Sequence, residues 1–205
     1  QVYDKSGSNQ YWKGTDGNYP ELPKLLALIK QWILAGEKPL LIGGKDLCDQ
    51  VVALTSGDTA LSQIEVAHFN SLRGSDVYKD CTVTFIVGRN QPNYEDVGIN
   101  ARSIFSYSEP IVVERYDQMP TVTKSYLVSE RFKDGPQALA GIKTFSDPRV
   151  QACLEQTRES EILQAIARLR MVWSGFNKSV FILTNIPVDM PIDRLIPMDE
   201  IIPNK

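Results

Sequence analysis

The chain has 205 residues, 42% of them apolar and 23% charged, enough for one full α/β domain with additions or for two small ones. Lys and Arg number 22 against 25 Asp and Glu, a net charge of −3 with a pI near 5.3, which excludes a globally basic nucleic-acid coat and makes any phosphate binding local. Cys48, Cys81 and Cys153 stand far apart without C-x-x-C spacing and His68 is the one histidine, so a Cys/His zinc site lacks ligands. Sparse thiols fit a reducing compartment, and no apolar stretch approaches the roughly 20 residues that span a bilayer. The expectation is a cytoplasmic protein with no membrane partner. The chain starts at Gln1 without an initiator Met or a secretory leader, which predicts a segment cut from something longer or processed.

Residues 1–20 are rich in Gly, Ser, Asn and Asp without a sustained period and read as an irregular surface segment or linker. From Glu21, Leu22, Leu25, Leu26, Ile29, Ile33 and Leu34 recur at helical spacing, with Pro23 suited to a first turn and Gly36 to the stop. KPLLIGG then predicts a buried strand ending in a glycine turn, and DLCDQVVAL a helix closed by Thr55, Ser56 and Gly57. Further strands are expected at Ile64–Phe69 and in TVTFIVG from Thr82 to Gly88. PIVVERY and TVTKSYLVSERF flank a turn-like DQMP and predict an antiparallel hairpin within an insertion at about 106–146. The longest helical pattern runs from Pro148 to about Trp173, closed by Ser174 and Gly175, and SVFILTN follows as a buried strand. The proline-rich tail from Ile186 should run extended with one short turn of helix. The grammar is α/β: a mainly parallel sheet flanked by helices, with a hairpin added.

Two stretches carry potential chemistry. Arg73-Gly74-Ser75-Asp76 sits in a loop between two strands, where an arginine and a glycine amide suit phosphate and a carboxylate suits a ribose hydroxyl. In the long helix Gln164 and Arg168 lie four apart on one face with Glu161 a turn earlier, and a regular helix points Arg170 well away from Arg168.

The order of these stretches resembles the second RecA-like lobe of superfamily-two helicases over roughly residues 20–196. LPKLLALIKQWILAGEKPLLIGGKDL resembles the opening helix and strand of that lobe, LRGSD its motif V, and LQAIARLR its motif VI, with SVFILTN as the next strand. The combination is most similar to helicase-like regions of large plasmid, phage and integrative-element proteins. The resemblance implies a domain over 21–196, a tail over 197–205, and a P-loop-NTPase-like fold without its own P-loop. It implies that ATP and Mg²⁺ are held by an N-terminal RecA-like lobe of the parent chain, and that DNA or RNA is bound without sequence preference. Arg168 would be the arginine finger, with Arg170 in reserve, and Gln164 would couple nucleotide to lobe closure. Gly74 would approach phosphate or the attacking water, Arg73 would meet phosphate, and Asp76 would touch the nucleotide sugar. Gly43, Gly44 and Lys45, at a strand-to-helix turn, would meet a nucleic-acid phosphate.

The chain departs from the family pattern: Ala167 replaces the motif VI glycine, and Met171 stands where a second arginine is expected. No G-x-x-x-x-G-K-[ST] occurs, since Gly43-Gly44-Lys45-Asp46 lacks the leading glycine and the hydroxyl residue. Met198-Asp199-Glu200 follows Pro197 rather than a buried strand and is no Walker-B pair. The plainer alternatives are a loop salt bridge for Arg73 with Asp76, solvated helix arginines at Arg168 and Arg170, and a surface lysine at Lys45. His68 reads as a hydrogen-bonded structural histidine, the cysteines as buried small hydrophobes, and Trp32, Trp173 and Phe176 as packing residues before base-stacking ones. Two other functions stay open: a degenerate lobe that binds protein or nucleic acid without catalysis, and an unrelated small α/β enzyme using Asp76, His68 or a thiol.

Overall fold

The computed structural model describes residues 1–4, 9–72, 76–107, 109–129, 131 and 138–202. Its centre is a sheet of β1 (Pro39–Gly43), β2 (Glu65–His68), β3 (Val83–Val87) and β6 (Ser179–Leu183), ordered β2-β1-β3-β6 and parallel throughout. Every residue of β1 and β3 is buried, as expected for central parallel strands covered on both faces. Their alternation splits the interior. Leu40, Ile42 and Ile86 face one core with Ile162, Ile166 and Leu169, whereas Leu41, Phe85 and Val87 face the other with Leu25, Ile29 and Val51.

The second core is closed by α2 (Leu22–Leu34), which buries Leu22, Leu25, Leu26, Ile29 and Ile33 at the predicted spacing but leaves Leu34 exposed at its end, and by α3 (Lys45–Thr55), which buries Leu47, Cys48 and Val51. The first is closed by α5 (Pro148–Ala167), which starts on an Asp147 cap followed by Pro148. A smaller cluster joins α4 (Tyr94–Ile104) to the first half of α5 through Val97, Ala101, Val150 and Leu154. α4 was not legible as a helix, although Asn93 caps it by accepting from Glu95 N.

The hairpin exists with different partners. β4 (Thr121–Ser125) pairs antiparallel with β5 (Leu139–Lys143), in a sheet of its own that rests on the first core through Ala140 and Ile142. PIVVERY forms no strand, because Ile111 and Val113 pack on the α4 cluster and Glu114 accepts from Ser146 N.

The opening residues also differ from the surface linker expected. Val2 is fully buried, donates its N–H to Ile182 O and bridges Ile196, while Trp12, closing the short α1 (Asn9–Trp12), is only 2% exposed. Exposing those two apolar side chains would forfeit their burial, so the segment is drawn onto the sheet edge and the second core. The tail runs extended as expected, burying Ile186, Val188, Ile192 and Leu195 before the short α6 (Met198–Ile201). Among the described residues no helix is long and apolar enough to cross a membrane.

Candidate functional site

The predicted site residues fall on opposite edges of the parallel sheet. At the amino-terminal edge, where β3 and β6 begin, α5 ends at Ala167 rather than near Trp173. Arg168 caps it by donating its N–H to Gln164 O, Leu169 turns into the core, and Arg170 takes the left-handed conformation at φ 49°. Lys178, just before β6, donates to Leu169 O at 2.7 Å and to Lys79 O, which ties this turn to the segment entering β3.

That turn corrects the helical-face expectation. Arg170 swings back and grips Asp76, its Nε donating to Oδ1 at 3.0 Å and its Nη2 to Oδ1 and Oδ2 at 2.7 and 2.6 Å. The Arg170 guanidinium holds the Asp76 carboxyl below its ordinary range, with Arg168 and Lys79 adding smaller effects of the same sign. Asp76, Arg168 and Arg170 line one cleft of about 280 Å³ together with Met171 and Val172. Among the described residues the Arg168 Nε–H, buried there, has no hydrogen-bond partner. Gln164 stays a turn back on α5, half-buried. Glu161 does not share an outward face with them: it is 1% exposed and accepts from Asn70 N. Arg73 and Gly74 lie outside the described residues.

At the carboxyl edge the strand order reverses between β1 and β3, and such switch points form crevices beyond the strand ends. A crevice of about 780 Å³ opens there, lined by the β1-to-α3 turn, the ends of β2 and β3, and the chain around Trp12. Gly43 makes the turn tight, because a Cβ there would lie 2.4 Å from Leu47 Cδ2. Gly44 opens α3 in extended conformation without a side-chain cap, and Lys45 is exposed beside it. So the sequence assignment of Gly43, Gly44 and Lys45 to a strand-to-helix turn holds, and Gly44 and Lys45 line this crevice.

Polar groups that sequence reasoning did not single out form a collar on this crevice. Arg89 Nε donates to Gln91 Oε1 at 2.9 Å and its Nη1 to Asn185 Oδ1 at 3.1 Å, while burial and then the Arg158 charge lower its pKa. Asn90 Nδ2 donates to Asn70 Oδ1, and Asn70 stands at φ 69°, an uncommon conformation for a non-glycine residue. The available signal was positional: Arg89 and Asn90 follow Gly88 at a strand's carboxyl end.

His68 behaves as the structural histidine expected, its Nδ1 2.8 Å from Phe69 O, an acceptor to which it donates. Trp32 packs edge-on to Phe181, whereas Phe176 is 46% exposed beneath the Lys178 ammonium. The three thiols are buried, and burial pushes Cys48 and Cys81 up to about 11, which keeps both as neutral thiols at neutral pH. Among the described residues no group of His, Cys, Asp and Glu could hold a metal ion.

Fold and site together define a parallel α/β lobe with an arginine-bearing cleft at one edge and a basic crevice at the other. Comparison with known protein families, curated proteins and solved structures finds no match.

Proposed function

We propose that this chain is the second RecA-like lobe of a superfamily-two-type helicase or translocase, acting on ATP and Mg²⁺ held by a separate P-loop lobe. The observation that carries it is the convergence of Asp76 with Arg168 and Arg170 in one cleft, though Asp76 and Arg170 stand 94 residues apart.

The cleft geometry divides their roles. Arg170 is committed to both oxygens of Asp76, whereas the Arg168 Nε–H has no partner among the described residues. Arg168 is therefore the finger that meets the charge developing on the γ-phosphate, and Arg170 is a positioning residue that locks the turn carrying it. Gln164, whose carbonyl accepts from Arg168 N, links that turn to α5. DNA or RNA runs past the β1-to-α3 turn, meeting the Gly43–Lys45 segment through its phosphates and without sequence preference.

A second reading, a docking module without catalysis, is favoured by the apolar surround of the cleft: Val172 is 90% exposed, Val77 72% and Met171 38%. One assay separates the two. In the parent protein with its P-loop lobe, Arg168→Ala should lower nucleic-acid-stimulated ATP turnover by about 10³-fold or more with nucleotide binding retained. Arg170→Ala and Asp76→Asn should lower it less. No loss from Arg168→Ala in an active parent would leave the docking module as the better account.

A further inference from the structure

β6 is an outer strand of the parallel sheet, and part of its free margin is open. Ser179 donates its N–H to Thr82 O and Leu183 O accepts from Gly88 N, so the odd-numbered residues of β6 bond toward β3. The strand period of two then turns the backbone groups of Val180 and Ile182 outward. Ile182 O accepts from Val2 N at 3.0 Å. Among the described residues the Val180 N–H, the Val180 carbonyl and the Ile182 N–H have no partner. A groove of about 300 Å³ lies beside them, between β6 and the tail residues 190–194.

The first residues of the chain already run along this margin. Gln1 N donates to Arg194 O at 2.8 Å, Gln1 O accepts from Ile196 N at 3.1 Å, and Val2 bridges Ile196 in parallel. The Tyr126 hydroxyl donates to Asn185 O at 2.9 Å and lies 3.5 Å from Tyr3 O, so residues 1–3 climb in the same direction as β6. Gln1 lines the groove together with Val180, Ile182 and Arg194. Traced backward from Gln1, the same extended line passes over the unpaired groups of Val180 and Ile182. On the facing wall the Arg194 N–H also has no partner among the described residues.

We propose that this groove takes the segment joining Gln1 to the P-loop lobe, added to β6 as a fifth parallel strand, an inference that rests on the proposed two-lobe parent. The parallel ladder fixes the register. The residue before Gln1 donates to Val180 O and accepts from Ile182 N, and the residue before that accepts from Arg194 N. Strand addition of this kind satisfies an edge that otherwise invites pairing with other chains. Because the segment is tethered at Gln1, it meets the edge intramolecularly and outcompetes a free peptide. Ile166 and Met171 line both this groove and the cleft of Asp76, Arg168 and Arg170. The segment therefore leaves β6 at the sheet edge that carries the finger, and tethers the P-loop lobe on that side.

The test is amide hydrogen exchange at Val180, Ile182 and Arg194, measured in the parent protein and in residues 1–205 alone. Expected is exchange slower by about tenfold or more in the parent, as gain of a strand hydrogen bond gives. Val180→Pro in the parent removes an outward N–H and fills its place with the ring, which an edge strand tolerates on that side. It should abolish the slowing at Ile182 and Arg194 while Phe181 and Leu183, which face β3, stay protected. Val180→Ala keeps the N–H and should leave the slowing in place. Equal protection in residues 1–205 alone would show that the chain or a second copy covers the edge, and would overturn the proposal. Fast exchange at all three amides in a parent that hydrolyses ATP would overturn the added strand and leave the lobe assignment standing. Slow exchange in a parent without ATPase activity would uphold the strand and count against that assignment.

Discussion

Asp147 accepts from Arg149 N at 3.0 Å as the cap of α5 and binds Arg149 Nη2 at 2.7 Å. The guanidinium and the cap together hold its pKa near 2, below the ordinary 3.8. Because the folded value is the lower one, the stabilisation is complete above the ordinary value and is lost as pH falls from 3.8 through about 2. Asp147→Asn keeps a capping oxygen and removes the charge, so its Tm at neutral pH should fall slightly and its loss of Tm between neutral and acid pH should shrink. Asp147→Ala should fall further at neutral pH; equal Tm for Asp147→Ala and wild type would contradict the cap. Asp76 obeys the same sign, since Arg170 lowers it, and its pair should loosen in acid. The residue types of this site were visible in the sequence. Their pairing was not, because a helical wheel places Arg170 by assuming that the helix continues.

α5 carries the least expected burial of any element. Arg158 is 1% exposed, donating from Nε and Nη2 to the two oxygens of its neighbour Glu159 at 3.0 and 2.6 Å. Removing one partner strands the other charge in the interior, so Glu159→Ala should cost about 3–5 kcal/mol in denaturant unfolding. The double substitution Arg158→Met with Glu159→Leu should recover most of that loss, and additive losses would sink this account. The helix ends early because Leu169 is buried and Lys178 takes its carbonyl, so a favourable tertiary contact outweighs another helical turn. α4 escaped recognition for a related reason: Gly98 sits in its middle, where a glycine lowers the intrinsic helical preference. A Cβ at Gly98 would lie 2.9 Å from both methyl groups of Val113, whose branched side chain yields little. Gly98→Ala should therefore lower Tm, whereas a gain in stability would show that the 110–115 segment is free to move.

Across the whole molecule, the two cores lie on the two faces of one sheet and each holds a buried thiol, Cys81 in one and Cys48 in the other. Thiolates are the reactive form, and burial raises all three cysteines, so a thiol reagent at neutral pH should label none in the native protein and all on unfolding. A single fast-reacting thiol would show local opening of its core. The sequence by itself determined the run of elements that builds this sheet. Helical spacing in α2, the β-branched runs of β3 and β6, and the glycine turn after β1 are each settled by neighbours a few residues away. Only the tertiary structure decided which edge each candidate residue joins. The order β2-β1-β3-β6 opens the crevice beside Lys45, and the turn after α5 brings Arg170 to Asp76 across 94 residues. Contacts at that separation depend on strand order, core packing and the ending of a helix, none of which is written in the local pattern.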